Sequence, residues 1–157
     1  DGGLIGAEAI DKAKLGFAGR PVKVNADLLR SLLNAGYLPV ISPVAYDASS
    51  PNGGALNVNG DDAAAAIAAA LGAEELLLVS DVEGVRDADG VTFQSLSGDS
   101  ARELITTGIA AGGMAAKIES AREALAGGVG SVRICDLKGL VDDQVGTFIT
   151  LSQSVAI

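Results

Sequence analysis

Asp61-Asp62-Ala63-Ala64-Ala65-Ala66-Ile67-Ala68-Ala69-Ala70-Leu71-Gly72, followed a few residues on by Leu76-Leu77-Leu78-Val79-Ser80-Asp81, is the stretch on which the fold turns. Alanine is the best helix former, and two acids at the start of the run complement the positive end of a helix. Residues 61–71 therefore read as a helix that Gly72 stops. Leu76 to Val79 is apolar without polar alternation, the pattern of a strand covered on both faces. Helix, stop, buried strand and polar loop (Ser80 to Gly90) together form the repeating phrase of an α/β chain, whose ligands gather beyond the carboxyl ends of the strands.

Working outward, the same phrase recurs on both sides. Upstream, Asn25 can cap a helix whose Leu28, Leu29, Leu32 and Leu33 keep helical spacing until Gly36. Leu38-Pro39-Val40-Ile41 then reads as a buried strand, and Asp47 to Ala55, rich in Ser, Pro, Asn and Gly, as a loop. Downstream, Ser100 to Thr107 and Met114 to Ala126 read as helices separated by a turn at Gly108 to Gly113. Val132 to Cys135 and Thr147 to Thr150 supply late strands. Residues 1–25 mix glycines with short alternating runs and read as two peripheral strands around a loop. The expected architecture is α/β, a three-layer α-β-α sandwich with a mainly parallel sheet. A length of 157 residues leads to the expectation of a single domain.

Composition removes several function classes. Eleven Lys and Arg against 20 Asp and Glu leave a net charge of −9, which repels a phosphate backbone and makes nucleic acid an unexpected partner. The apolar run Ala63 to Leu71 is far shorter than the roughly 20 residues needed to span a bilayer, so no membrane association is expected. A single cysteine, Cys135, forbids an internal disulfide and fits a reducing compartment. No basic, apolar leader opens the chain, so the cytoplasm is the expected location. Histidine is absent, which excludes His-based catalysis and the commonest metal ligand. Chemistry is left to Lys, Arg, Asp, Asn and backbone amides, and no protein-held metal is expected. Because the first residue is Asp and the opening Asp1-Gly2-Gly3 looks internal, the chain reads as a portion of a longer polypeptide.

Three segments place polar groups where an α/β sheet presents its loops. In Leu56-Asn57-Val58-Asn59-Gly60-Asp61-Asp62, an extended approach points Asn57 and Asn59 the same way and sets Asp61 in the first turn of the helix. The bland account is that Asn59 caps and the acids complement the dipole. The functional account adds an amide donor at Asn57 and, at Asp61, a carboxylate able to hold an ammonium group. In Ser80-Asp81-Val82-Glu83-Gly84-Val85, Asp81 is suited to accept from a ribose hydroxyl and Gly84 lets the chain turn close to a ligand, although Asp and Gly after a strand are also ordinary turn chemistry. Gly112-Gly113-Met114-Ala115-Ala116-Lys117 brings amides at a helix start together with an ammonium in the first turn, an anion site suited to nucleotide phosphates. It is not a Walker A loop, and a solvated surface lysine is the alternative.

In that order the three segments, together with Ala35-Gly36-Tyr37-Leu38-Pro39-Val40-Ile41, resemble the amino acid kinase family over nearly the whole chain. The resemblance implies that Asn57 contacts an acylated amino acid, Asp61 organises a catalytic lysine, and Lys117 is that lysine, stabilising the transferring phosphoryl group. It implies that Asp81, Val82, Glu83, Gly84, Val85 and Arg86 lie against the ATP ribose and base. Ile109, Ala110, Ala111, Gly112, Gly113 and Met114 would line the rest of the nucleotide pocket, with Mg²⁺ carried on the ATP phosphates. The family's amino-terminal half, with its Lys-x-Gly-Gly strand and acyl-amino-acid site, has no counterpart here, since Lys12 and Lys14 are followed by Ala13 and Leu15. The chain is thus expected to be the ATP-side domain of a longer homo-oligomeric enzyme, inactive by itself.

The activity so implied is transfer of the γ-phosphoryl of ATP to the side-chain carboxylate of N-acetyl-L-glutamate, a step of arginine biosynthesis. A carboxylate with a reference pKa of about 4.3 is already an ionised nucleophile at neutral pH, so no general base is needed and a chain without histidine is compatible with the reaction. The difficulty is an anion approaching a polyanion, which fixed cations and amides relieve. Two alternatives remain beside this one: a kinase for carrier-protein-linked aminoadipate in lysine biosynthesis, and a non-catalytic nucleotide-binding module.

Overall fold

The computed structural model describes residues 2–50 and 54–151. They fall into two compact units, Asp1–Leu71 and Gly72–Ile157, where length alone leads to the expectation of one. In the first unit the order is β1 (Ile5–Ala9), α1 (Lys12–Leu15), β2 (Ala18–Val24), α2 (Ala26–Asn34), β3 (Val44–Asp47), β4 (Ala55–Val58) and α3 (Gly60–Leu71). The four strands close into a barrel in the order β1-β2-β4-β3. Its core gathers Ile5, Ala7, Ala45, Leu56 and Val58 with Ala63 of α3. The first 25 residues are therefore central rather than peripheral to this unit, because the alternation in β1 and β4 turns one face of each strand inward. Four strands enclose little volume, and Gly19 meets that limit: a Cβ there would lie 2.9 Å from Leu56 Cβ and 3.1 Å from Ala7 Cβ.

The caps read from the sequence are present. Asn25 Oδ1 accepts from the Leu28 N–H at 3.2 Å, and α2 ends at Asn34, two residues before Gly36, which takes φ +82°. Asn59 Oδ1 accepts from the N–H groups of Asp61 (2.8 Å) and Asp62 (3.3 Å), so the capping account of Asn59 holds. Leu38 to Ile41 departs from expectation. It forms no strand, and Leu38 and Val40 are 87% and 93% exposed. Only Ile41 reaches the core cluster, and β3 begins beyond Pro43. Pro39 has no N–H to give a ladder, and an apolar run does not itself specify what covers it. Part of the loop expected over 47–55, residues 51–53, lies outside the described residues.

The second unit contains β5 (Glu75–Val79), β6 (Ser95–Ser97), α4 (Gly98–Thr106), α5 (Gly112–Ala126), β7 (Ser131–Cys135), a 3₁₀ turn (Leu137–Leu140) and β8 (Thr147–Thr150). The sheet order is β5-β7-β8-β6, with α5 packed on β5, β7 and β8 through Ile118, Ala121, Ala124 and Leu125. β5 occupies an edge of this sheet. Leu78 is buried but Val79 is not, so the apolar run marks a strand without being covered on both faces. Among the described residues the two sheets contain four parallel and three antiparallel pairings, and the hydrogen bonding of this α/β chain is mixed.

Candidate functional site

The loop after β5 and the turn before α5 meet in the second unit. Val82, Gly84, Arg86 and Asp87 from the first, and Ile109, Ala110, Ala111 and Met114 from the second, line an open cleft of about 330 Å³. This is the size range of small-ligand sites, roughly 300–1,000 Å³. Its walls are mostly aliphatic, with Arg86 and Asp87 supplying charge, a lining suited to a flat ring system with a polar tail. The two segments are separated by over 20 residues of sequence, yet they are the segments selected from the sequence.

The other candidates have distinct placements. Asp81 and Glu83 are exposed; the Ser80 hydroxyl donates to Asp81 Oδ1 at 3.2 Å, and Glu83 Oε1 lies 3.9 Å from Lys138 Nζ. Val85 is fully buried, so its side chain belongs to the core and only its backbone serves the loop. Gly112 and Gly113 open α5, exposed, with space where a Cβ would project, and Gly112 takes φ +55°, a conformation that favours glycine. The cap residue Ala111 makes no side-chain bond to the helix start. Because α5 begins at Gly112, Lys117 lies in its second turn rather than its first, half-buried one turn behind those amides. Asn57 and Asp61 belong to the first unit: Asn57 is exposed on β4 between inward-facing Leu56 and Val58, and Asp61 is in the first turn of α3, half-buried.

Asp87 is a cleft residue that the sequence reading did not select. Its Oδ1 accepts from the N–H groups of Asp89 (2.9 Å) and Val91 (2.8 Å), tightening the turn at Asp87-Ala88-Asp89-Gly90. An Asp four residues before an apolar position, with Gly between, was the available signal, and it also describes any Asx turn.

An α/β chain with a loop-lined cleft beside a glycine-opened helix is the frame of a small-ligand-binding protein. The model of the amino acid kinase family matches residues 2–136, and the chain belongs to that family. It is similar to acetylglutamate kinase from Ruegeria sp. (strain TM1040), 46% identical over 136 residues that cover 87% of this chain and 46% of that enzyme. It is likewise 45% identical over 134 residues to acetylglutamate kinase from Geobacillus stearothermophilus, covering 85% of this chain and 50% of the relative. Among solved structures, N-acetylglutamate synthase from Neisseria gonorrhoeae, complexed with coenzyme A and L-arginine, superposes with a TM-score of 0.83 at 29% identity, covering 96% of this chain and 37% of that one. The chain spans about half the length of the curated relatives it matches.

Proposed function

We propose that this chain provides the ATP side of an acetylglutamate kinase, as the carboxyl-terminal part of a longer polypeptide with the mainly parallel, three-layer α-β-α sheet that the family resemblance implies. The reaction is transfer of the γ-phosphoryl of Mg-ATP to the side-chain carboxylate of N-acetyl-L-glutamate. The carboxylate oxygen forms a bond to phosphorus while the bond to the β-phosphate oxygen breaks, giving N-acetyl-L-glutamyl 5-phosphate and ADP. The observation that carries the reading is the single cleft formed by residues 82–87 and 109–114 at the entrance to α5. In this reading the base and ribose occupy that cleft, the triphosphate follows to the Gly112-Gly113 amides, and Lys117 neutralises charge on the transferring oxygens. The family resemblance gives Asp61 the role of organising the catalytic lysine and Asn57 that of contacting the acceptor. Mg²⁺ would be carried on the nucleotide, where it would offset phosphate charge beside the Gly112-Gly113 amides and Lys117.

Leu38 and Val40 support the longer polypeptide, since an extended apolar segment with both side chains almost fully in water is surface suited to burial by further chain. Solubility, a cytoplasmic location and a homo-oligomeric state go with this reading. Among the described residues, no helix is long and apolar enough to cross a membrane.

Calorimetric titration of the chain with Mg-ATP is expected to give measurable binding and no turnover of N-acetyl-L-glutamate. Gly84→Ala is expected to weaken that binding about tenfold, one decade being about 1.4 kcal/mol, because its Cβ would lie 2.5 Å from Thr147 Oγ1 and 2.8 Å from Thr92 Cγ2. The full-length polypeptide, assayed with N-acetyl-L-glutamate and with carrier-protein-linked aminoadipate, is expected to use the first. Preference for the second would reassign the acceptor, and failure of the chain to bind Mg-ATP would remove the reading.

A further inference from the structure

The geometry points to Thr147, on β8, as a positioning residue for the nucleotide loop, an inference that rests on the cleft of residues 82–87 and 109–114 being the nucleotide site. The loop leaves β5, passes through Val85 and Arg86, turns at Asp87 and returns through Thr92 and Phe93. Its two limbs are antiparallel, with a bridge between Arg86 and Thr92 and a bond from the Phe93 N–H to the Val85 carbonyl at 2.9 Å. In a regular antiparallel pair the two residues exchange both bonds, so the Val85 N–H would donate directly to the Phe93 carbonyl. Here the hydroxyl of Thr147 stands in that place. It accepts from the Val85 N–H at 2.9 Å and donates to the Phe93 carbonyl at 2.6 Å.

The hydroxyl is therefore a wedge that relays one hydrogen bond and holds the limbs apart on the Gly84 side, where Val82 and Gly84 line the cleft. Gly84 rests on the wedge, with no room for a Cβ against the same oxygen. Thr147 is itself fully buried and is fixed by the sheet, paired opposite Ile134 of β7. A rigid strand thus sets the opening of a loop that lies over 50 residues earlier in the chain. Without the hydroxyl, even where a methyl keeps its place, the Val85 N–H and the Phe93 carbonyl lose their shared partner, and the limbs must shift to satisfy them, moving Gly84 and Val82 while preserving the fold. Thr147 does not itself line the cleft and acts on it through the loop residues that rest on its hydroxyl.

The test is Mg-ATP affinity of the 157-residue chain by calorimetry, with the thermal midpoint measured alongside, for wild type, Thr147→Val, Thr147→Ser and the stability control Val132→Ala. Val132 is buried in β7 and is not a cleft residue. Thr147→Val, which keeps the shape and removes the hydroxyl, is expected to weaken binding about tenfold, since small misplacements of binding groups are costly. Thr147→Ser, which keeps the hydroxyl, is expected to bind within about twofold of wild type, and Val132→Ala to lose thermal stability with affinity retained. Wild-type affinity in Thr147→Val would overturn the inference alone. So would equal weakening in Thr147→Ser, or weakening in Val132→Ala that matched its loss of stability. Absence of Mg-ATP binding by wild type would instead overturn the nucleotide reading, and this inference with it.

Discussion

Lys117→Ala in the full-length polypeptide is expected to lower kcat by about 10²–10³, the cost of removing one charge-stabilising donor from an acyl- or phosphoryl-transfer site. The effect is expected mainly on kcat, because the charge that Lys117 meets grows as the phosphoryl group leaves ADP. An interaction made only in that state lowers kcat and kcat/KM together, with little change in KM for ATP. The placement along the chain is compatible with this role: Lys117 is one turn behind the start of α5, whose cap residue makes no side-chain bond to the first amides. The chain's net charge of −9 makes such a local site more necessary, since the summed field does not attract ATP. Steady-state kinetics at saturating acceptor separate the terms. A rise in KM for ATP with kcat intact would make Lys117 a ground-state binding residue.

Arg133→Ala is expected to cause the largest loss of stability in the second unit, about 3 kcal/mol, as for breaking a buried ion pair. The Arg133 side chain on β7 is 5% exposed. Nε donates to Glu75 Oε1 at 3.1 Å, and Nη1 donates to the carbonyls of Gly139 (3.0 Å), Asp142 (3.2 Å) and Val145 (3.1 Å). Its guanidinium lies over the Phe148 ring, 5.4 Å from the centroid. One side chain therefore gathers the whole connection between β7 and β8, and truncation leaves several acceptors without their donor. Glu75 keeps part of its surface in water, which holds the expected loss at the lower end of the range for buried pairs.

Cys135, two residues along β7, reports on the same region. Burial pushes its thiol above the ordinary range, with the Arg133 guanidinium opposing and Asp136 and Glu75 assisting. A raised value in the folded state means that its contribution to stability is present below the ordinary thiol range and is lost as pH rises through and above it. Urea unfolding with thiol labelling is expected to give slow labelling of wild type at neutral pH, a lower urea midpoint as the medium becomes alkaline, and faster labelling with a lower midpoint in Arg133→Ala. Equal midpoints for wild type and variant would contradict the role given to Arg133.

Legibility varied with the range of the interaction. Asn25, Gly36, Asn59 and Gly72 mark helix ends through contacts within a few residues, and the structure has helix ends there. Leu38 to Ile41 and Leu76 to Val79 show the limit of an apolar run, since hydrophobicity states a preference for burial and not its partner. The first is exposed and irregular, and the second is an edge strand. Ser95-Leu96-Ser97 escaped notice as β6 because only Leu96 is buried in a short polar segment. In the cleft, the two lining segments were recognisable as motifs, but Thr147 was not. Its partners are 62 and 54 residues away, and a threonine in a strand carries no local sign of which backbone groups its hydroxyl will meet.

The account depends above all on residues 82–87 and 109–117 forming one Mg-nucleotide site. The measurement that reaches this claim most directly is the amide NMR footprint of the 157-residue chain titrated with a non-hydrolysable Mg-ATP analogue. The account predicts saturable shifts concentrated at Val82 to Asp87, Ile109 to Met114 and Lys117. Saturable binding that leaves those amides unmoved and shifts another surface would contradict it.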